Sequence, residues 1–124
     1  MPPSYHSSLE SKLVLYGQWV YNGGVSGERK LIFEWDTANQ AHIARHQITP
    51  QEAEEIVCGS SLPLGTEKRD GEDRHVELGE TSRGRLLIVV WTWRGAQVRI
   101  VTAFPANRKW RAFWRRINQG GQNA

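Results

Sequence analysis

From Leu31 onward the apolar residues fall into spacings that switch between strand-like and helix-like periods. Leu31-Ile32-Phe33-Glu34-Trp35 is dense in β-branched and aromatic side chains and predicts a first strand. Asp36 follows as an N-cap for a short helix to about Arg45. Thr49-Pro50-Gln51-Glu52 is a stronger start signal, with a Thr cap, Pro at the first helical position and Glu placed to close a capping box. That second helix is expected to end at Gly59 and to bury Ala53, Ile56 and Val57. Ser60 to Asp73 reads as a loop, with at most a short strand at Leu62 to Leu64.

Three strands are then predicted near Arg74–Thr81, Arg85–Trp93 and Gln97–Phe104, joined by the Gly-containing links Ser82-Arg83-Gly84 and Arg94-Gly95-Ala96. Links this short make an antiparallel meander. Leu86 to Trp91 is apolar on both faces and belongs at the sheet centre. Pro105-Ala106-Asn107 breaks the last strand and caps a helix in which Trp110, Phe113, Trp114 and Ile117 share one face. Gly120-Gly121 is expected to end that helix. The fold class is therefore α+β, with one domain at 31–118 and a flexible tail at 119–124.

Residues 1–30 mix Pro, Ser and Gly with one apolar patch, Tyr16-Gly17-Gln18-Trp19-Val20-Tyr21, and keep neither period for long. They read as a poorly ordered leader. A translation start as late as Val25 would also fit the position of the domain.

The chain has 124 residues, of which 39% are hydrophobic, enough for one compact core and too few for two ordinary domains. Cys58 is the single cysteine, which excludes an intrachain disulfide and fits a reducing cytoplasm. No signal peptide is visible, and no apolar run approaches the roughly 20 residues that cross a bilayer. A soluble protein with no membrane partner is expected.

Charge changes the picture more than composition does. The formal net charge is only +3, yet all thirteen acidic residues lie at or before Glu80. Beyond it come nine cations, Arg83, Arg85, Arg94, Arg99, Arg108, Lys109, Arg111, Arg115 and Arg116. Such a block attracts phosphate through Coulomb forces and counterion release, and Arg forks onto phosphate or stacks on a base. A solvated basic surface, or one that docks on an acidic partner, explains the same charges.

Candidate chemistry gathers at a few positions. His42 and His46 lie one helical turn apart on one face, a spacing open to zinc, to RNA or partner contact, or to an ordinary surface pair. The intervening Ile-Ala-Arg lacks the Glu of a metalloprotease, and no metal is assigned. Arg74 occupies one face of its strand, while His75 and Glu77 share the other as a candidate general base with its carboxylate, or as an exposed cross-strand contact. Arg99, read as alternating with Val101 and Ala103 on one face, is either a phosphate ligand or a paired structural Arg, and is the best single candidate for the site. Arg108, Lys109 and Arg111 open the last helix, where the N-terminal dipole adds to anion attraction. Trp91 and Trp93 share a strand face, for packing or for base stacking.

Taken in order, Phe33-Glu34-Trp35-Asp36, His42 to Thr49, Glu52 to Val57, Gly84 to Val90 and Arg99-Ile100-Val101-Thr102-Ala103 resemble the BrnT-like toxin family, over roughly residues 31 to 116. The resemblance implies a RelE-like fold: an antiparallel sheet with two N-terminal-side helices on one face, plus a C-terminal helix. It also implies a metal-independent endoribonuclease without cofactors, neutralised by a small antitoxin whose ribbon-helix-helix domain makes the only contact with DNA. On that reading Arg99, Arg74, His75 and Glu77 are catalytic, and Arg83, Arg85, Arg108, Lys109 and Arg111 bind RNA phosphate. His42 and His46 would touch RNA or the antitoxin. The chain departs from the family at Phe104-Pro105, where an Arg and a Lys are common, and at Trp110-Arg111 and Trp114, where a Glu-Arg pair and a Tyr are common. These departures set the enzyme beside a second hypothesis, a toxin-fold module with little or no cleavage that binds its antitoxin and tunes operator binding.

Overall fold

The computed structural model describes residues 31–123, so the expectation for residues 1–30 lies outside the described part. The elements run β1 (Ile32–Glu34), α1 (Thr37–Ala44), α2 (Pro50–Cys58), β2 (Leu62–Arg69), β3 (Glu72–Glu80), β4 (Leu86–Arg94), β5 (Gln97–Pro105) and α3 (Arg108–Asn123). They form the expected α+β fold around one five-stranded sheet of order β1-β5-β4-β3-β2. The strands β2 to β5 are an antiparallel meander, and β1 closes the other edge parallel to β5, which makes the sheet mixed.

The largest departure from the sequence reading is β2. Leu62–Arg69 is a full strand paired along its length with β3, and the segment is not a loop. Its polar Thr-Glu-Lys-Arg half carries the composition of a protected edge strand, which conceals the strand period. Asp70 and Gly71 have φ of 54° and 79°, the left-handed pair that a two-residue hairpin turn requires. The predicted capping box of Thr49 and Glu52 forms at α2, and Asp36 caps α1 as expected, with Asn39 completing a second box that the sequence reading did not include. The helix α3 runs through Gly120-Gly121 to Asn123, beyond its expected end; glycine lowers helix stability by about 1 kcal/mol per residue and does not forbid the conformation.

The two faces of the sheet have separate cores. On one, α1 and α2 bury Ile43, Ala53, Ile56 and Val57 against Leu87, Val89, Trp91, Val98, Ile100 and Ala103. On the other, α3 lays Trp110, Phe113 and Trp114 over Leu78, Ile88, Leu64, Val76 and Phe104. These contacts lie toward the end of the sheet where α3 starts, so the far end of the same face carries polar side chains. Asn39 is 3% exposed and its amide donates to the carbonyls of Glu34 and Ile100, at 3.0 and 3.1 Å. One buried side chain thus joins β1, α1 and β5. Among the described residues no helix is long and apolar enough to cross a membrane.

Candidate active site

Strand register brings two of the predicted residues together. Glu67 on β2 is opposite Arg74 on β3, and Thr92 on β4 is opposite Arg99 on β5, which in turn is opposite Glu34 on β1. His75 pairs with Trp91, so the next step of that register sets Arg74 beside Thr92. Arg74 and Arg99 therefore flank Thr92 on the α3 face, about 10 Å apart across two inter-strand spacings. Thr92 itself is 3% exposed and donates to the Asp73 carbonyl at 2.9 Å.

A bulge decides which way Arg99 faces. Val90 pairs with Thr102 and Trp91 with Ile100, leaving Val101 as the extra residue. The expectation that Arg99, Val101 and Ala103 share one face is therefore corrected. Ala103 lies in the core under α1 and α2, and Arg99 lies on the opposite face with Thr92.

Charges from the acidic N-terminal half fold onto this row. Arg99 Nη1 reaches Asp36 at 2.9 Å and Glu34 at 3.2 Å; Arg94 reaches Glu34 at 4.0 Å and Glu72 at 2.9 Å; Arg74 reaches Glu72 at 3.4 Å. The result is one alternating string, Asp36, Arg99, Glu34, Arg94, Glu72, Arg74, with balanced charge. Hydrogen bonding to Arg99 holds the Asp36 carboxyl below the usual carboxylate range, and Arg94 does the same for Glu72. Arg99 is raised in turn, chiefly by Asp36. Within the string Arg74 is the least satisfied, because its Nε is buried and has no acceptor among the described residues.

His75 and Glu77 lie on the other face, and the structure does not bring them to the arginines. Their exposures are 5% and 0%. Trp91 donates its indole N–H to Glu77 at 2.9 Å, and Ser61 donates its hydroxyl to the same carboxylate. The His75 ring packs 4.6 Å from Trp91 and its Nδ1 lies 3.2 Å from the Thr66 hydroxyl. Burial lowers the His75 pKa, against a weaker opposing pull from Glu77 and Asp73. The pair is thus neither the exposed contact nor the solvent-reachable base that alternation alone allowed. Trp91 is fully buried and Trp93 packs edge-on against it, 5.2 Å away, so this face of β4 serves packing.

The remaining predicted cations lie toward the other end of the sheet, at the start of β4 and in the first turns of α3. Arg85 donates to both Glu52 oxygens, at 2.9 and 3.0 Å, and to the Gln47 carbonyl at 2.9 Å. Burial opposes ionisation of Glu52, but the Thr49 backbone and Arg85 together bring its pKa below the ordinary value. Arg83, Arg108, Lys109 and Arg111 are exposed, with Arg111 donating to the Ala106 carbonyl at 3.1 Å. His42 and His46 are exposed, and His46 lies edge-on to Phe104 at 6.2 Å. Among the described residues no group of three or more His, Cys, Asp or Glu is arranged to hold a metal ion. Sequence reasoning missed Glu34, Glu72, Arg94 and Thr92; strand alternation carried a signal for each, but their joint position required the register.

The model of the family described as "Ribonuclease toxin, BrnT, of type II toxin-antitoxin system" matches residues 35–109. The chain belongs to this BrnT toxin family. None of the curated proteins compared matches it. The family match takes in the whole meander, including Arg74, Thr92 and Arg99, and ends at the first turn of α3. Membership implies an RNA substrate and an antitoxin partner. The matched segment therefore covers the first two helices and the four-stranded meander, while β1 lies just before it and most of α3 past it.

Proposed function

We propose that the α3-side face of the sheet, around Arg74, Thr92 and Arg99, is where this toxin holds RNA for metal-independent cleavage, and that residues 31–118 form the working domain. The observation carrying this reading is the Arg74 guanidinium, set on a rigid strand across Thr92 from Arg99, with a buried Nε–H that has no acceptor among the described residues. A phosphate oxygen would supply that acceptor.

The reaction that suits these groups is attack of a ribose 2′-oxygen on the adjacent phosphorus. The new P–O2′ bond forms as the P–O5′ bond breaks, giving a cyclic phosphate and a 5′-hydroxyl end. Arg74 and Arg99 would stabilise charge building on the phosphoryl oxygens. Glu72, kept ionised by Arg94, would take the 2′-hydroxyl proton, and water would protonate the leaving oxygen. In this reading the buried His75 and Glu77 are supports of the sheet. The antitoxin is a small protein with a ribbon-helix-helix domain, so that DNA is reached only through it, and the toxin acts in the cytoplasm.

The direct test is incubation of total RNA with purified protein in EDTA, alongside Arg74→Gln and antitoxin-saturated samples. Cleavage that survives the chelator and falls at least a hundredfold in both controls supports the reading. Loss of cleavage in EDTA alone overturns its metal independence. A second reading, a toxin-fold module with weak cleavage that mainly binds its antitoxin and tunes operator binding, is favoured by one observation: Arg99 is occupied by Glu34 and Asp36. Intact RNA from the folded wild-type protein would select it.

A further inference from the structure

Beside the arginine row, on the same face, a pocket of about 400 Å³ opens between β2 and the start of α3. Its walls are Leu64, Val76, Ile88, Phe104 and Trp110, and Glu67, Thr66 and Asn107 add polar groups. Two residues belong to both features. Glu67 is the register partner of Arg74, and Val76 stands two residues beyond Arg74 on β3, about 7 Å along the strand.

We infer that this pocket receives the base next to the phosphate held by Arg74, and that it selects guanine. The inference rests on the reading of the arginine face as the RNA site, and adds a specificity element to it. An apolar pocket with aromatic walls, on the same sheet face as the Arg74 guanidinium, suits a base turned out from single-stranded RNA. Phe104 and Pro105 keep that wall apolar, so the departure from cations at these two positions has a positive use.

The choice of base follows from the polar groups. The Glu67 carboxylate is an acceptor only, and guanine alone offers two neighbouring donors, N1–H and the 2-amino group, on its Watson–Crick edge. Asn107 spends its side-chain carbonyl on the Trp110 backbone N–H at 3.0 Å, which leaves its NH₂ group as the donor for the guanine 6-oxygen. Adenine, cytosine and uracil each present a single donor there, flanked by an acceptor that the carboxylate repels, so each fills only one of its oxygens.

Two measurements test this together. Cleavage ends are mapped on a defined RNA for the wild type and Glu67→Gln, and the four 3′-nucleoside monophosphates are titrated by chemical-shift perturbation. The Glu67 side chain is 52% exposed, so its replacement leaves the core intact. Expected are ends enriched for guanine, 3′-GMP binding at least tenfold tighter than 3′-AMP, and a loss of about tenfold in both preferences in Glu67→Gln. Cleavage with no base preference, or a preference that Glu67→Gln leaves unchanged, overturns the pocket and spares the ribonuclease reading. Selective 3′-GMP binding without cleavage does the reverse. Absence of both overturns both.

Discussion

Arg99 on β5 holds Asp36, the N-cap of α1, through a 2.9 Å ion pair that spans 63 positions of sequence. The same guanidinium bonds Glu34 on the strand beside it. Of the two readings the sequence left open for this arginine, a phosphate ligand or a paired structural cation, the pairing is present: it ties the last strand to the first strand and the first helix. Phosphate binding there requires that RNA compete with two carboxylates, whereas the Arg74 Nε–H has no acceptor among the described residues.

Arg99→Ala should therefore act on the fold as well as on any chemistry. Glu34 and Asp36 would be left close together without their shared cation, and the melting temperature should fall by several degrees. Because like-charge repulsion is then the main penalty, the deficit should shrink near 1 M salt, where the Debye length is about 3 Å. Asp36→Asn combined with Arg99→Ala should lose less than the sum of the single changes. Additive losses in that cycle would show that the ion pair contributes nothing.

Arg85→Ala separates fold from function in the other direction. This side chain bridges Glu52 and the Gln47 carbonyl, far from the Arg74–Arg99 row. With the Arg85 and Glu52 side chains 35% and 18% exposed, loss of the bridge should cost about 1 kcal/mol in urea unfolding. RNA cleavage per folded molecule should be unchanged. A selective drop in cleavage would return Arg85 to the phosphate-binding set.

Local signals were legible wherever they depended on neighbours in the chain. Thr49 with Glu52, and the helical stripe of Trp110, Phe113 and Trp114, required only short spacings and formed as read, whereas Ile117, read onto the same stripe, is 42% exposed. Arg74 and His75 were correctly placed on opposite faces by strand alternation. Arg99 and Ala103 were not, because the Val101 bulge changes the phase of alternation without leaving a mark in composition. The charge asymmetry misled for a related reason. Glu34, Asp36 and Glu72 precede the basic block in sequence, and pairing of β1 and β3 with the rest of the sheet lays them beside Arg94, Arg99 and Arg74.

A pH dependence follows from His75. Its folded-state pKa lies below the ordinary value of about 6.5, because burial disfavours the imidazolium. In the window between the two values the unfolded chain binds more protons, so stability is complete above about pH 6.5 and declines as the pH falls toward the folded pKa. The carboxyls of Asp36, Glu52 and Glu72 are depressed, so their contribution is lost only on further acidification, below the ordinary carboxylate range. Urea midpoints from pH 7.5 to 5 should fall for the wild type and stay flat for His75→Phe. Parallel curves would show that His75 is not the group responsible.

Glu77 should behave as a buried support. It is 0% exposed and accepts the Trp91 indole N–H. Glu77→Ala would leave that donor and the Ser61 hydroxyl without this acceptor and would open a cavity, a loss of roughly 3 kcal/mol. Glu77→Gln retains a carbonyl oxygen and should lose less. Protein refolded from either variant should cleave RNA at the wild-type rate per native molecule; a variant that folds normally and fails to cleave would restore Glu77 to catalysis.

The helix α3 is where the sequence's charge asymmetry persists in three dimensions. Arg108, Lys109, Arg111, Arg115 and Arg116 are exposed, and none forms an ion pair with a carboxylate among the described residues. The Lys109 ammonium sits over the Trp110 ring at 5.7 Å and the Arg116 guanidinium over Phe113 at 6.0 Å, cation–π contacts on an exposed surface. If single-stranded RNA leaves the arginine row along this helix, each phosphate it neutralises releases counterions, and the slope of log affinity against log salt carries about 0.7 per contact. Replacing Arg108, Lys109 and Arg111 together by Gln should reduce that slope by about 2 and weaken binding to all sequences alike. Guanine preference should not change, because the helix cations meet backbone only. An unaltered slope would take α3 off the RNA path and leave its cations for an acidic protein partner.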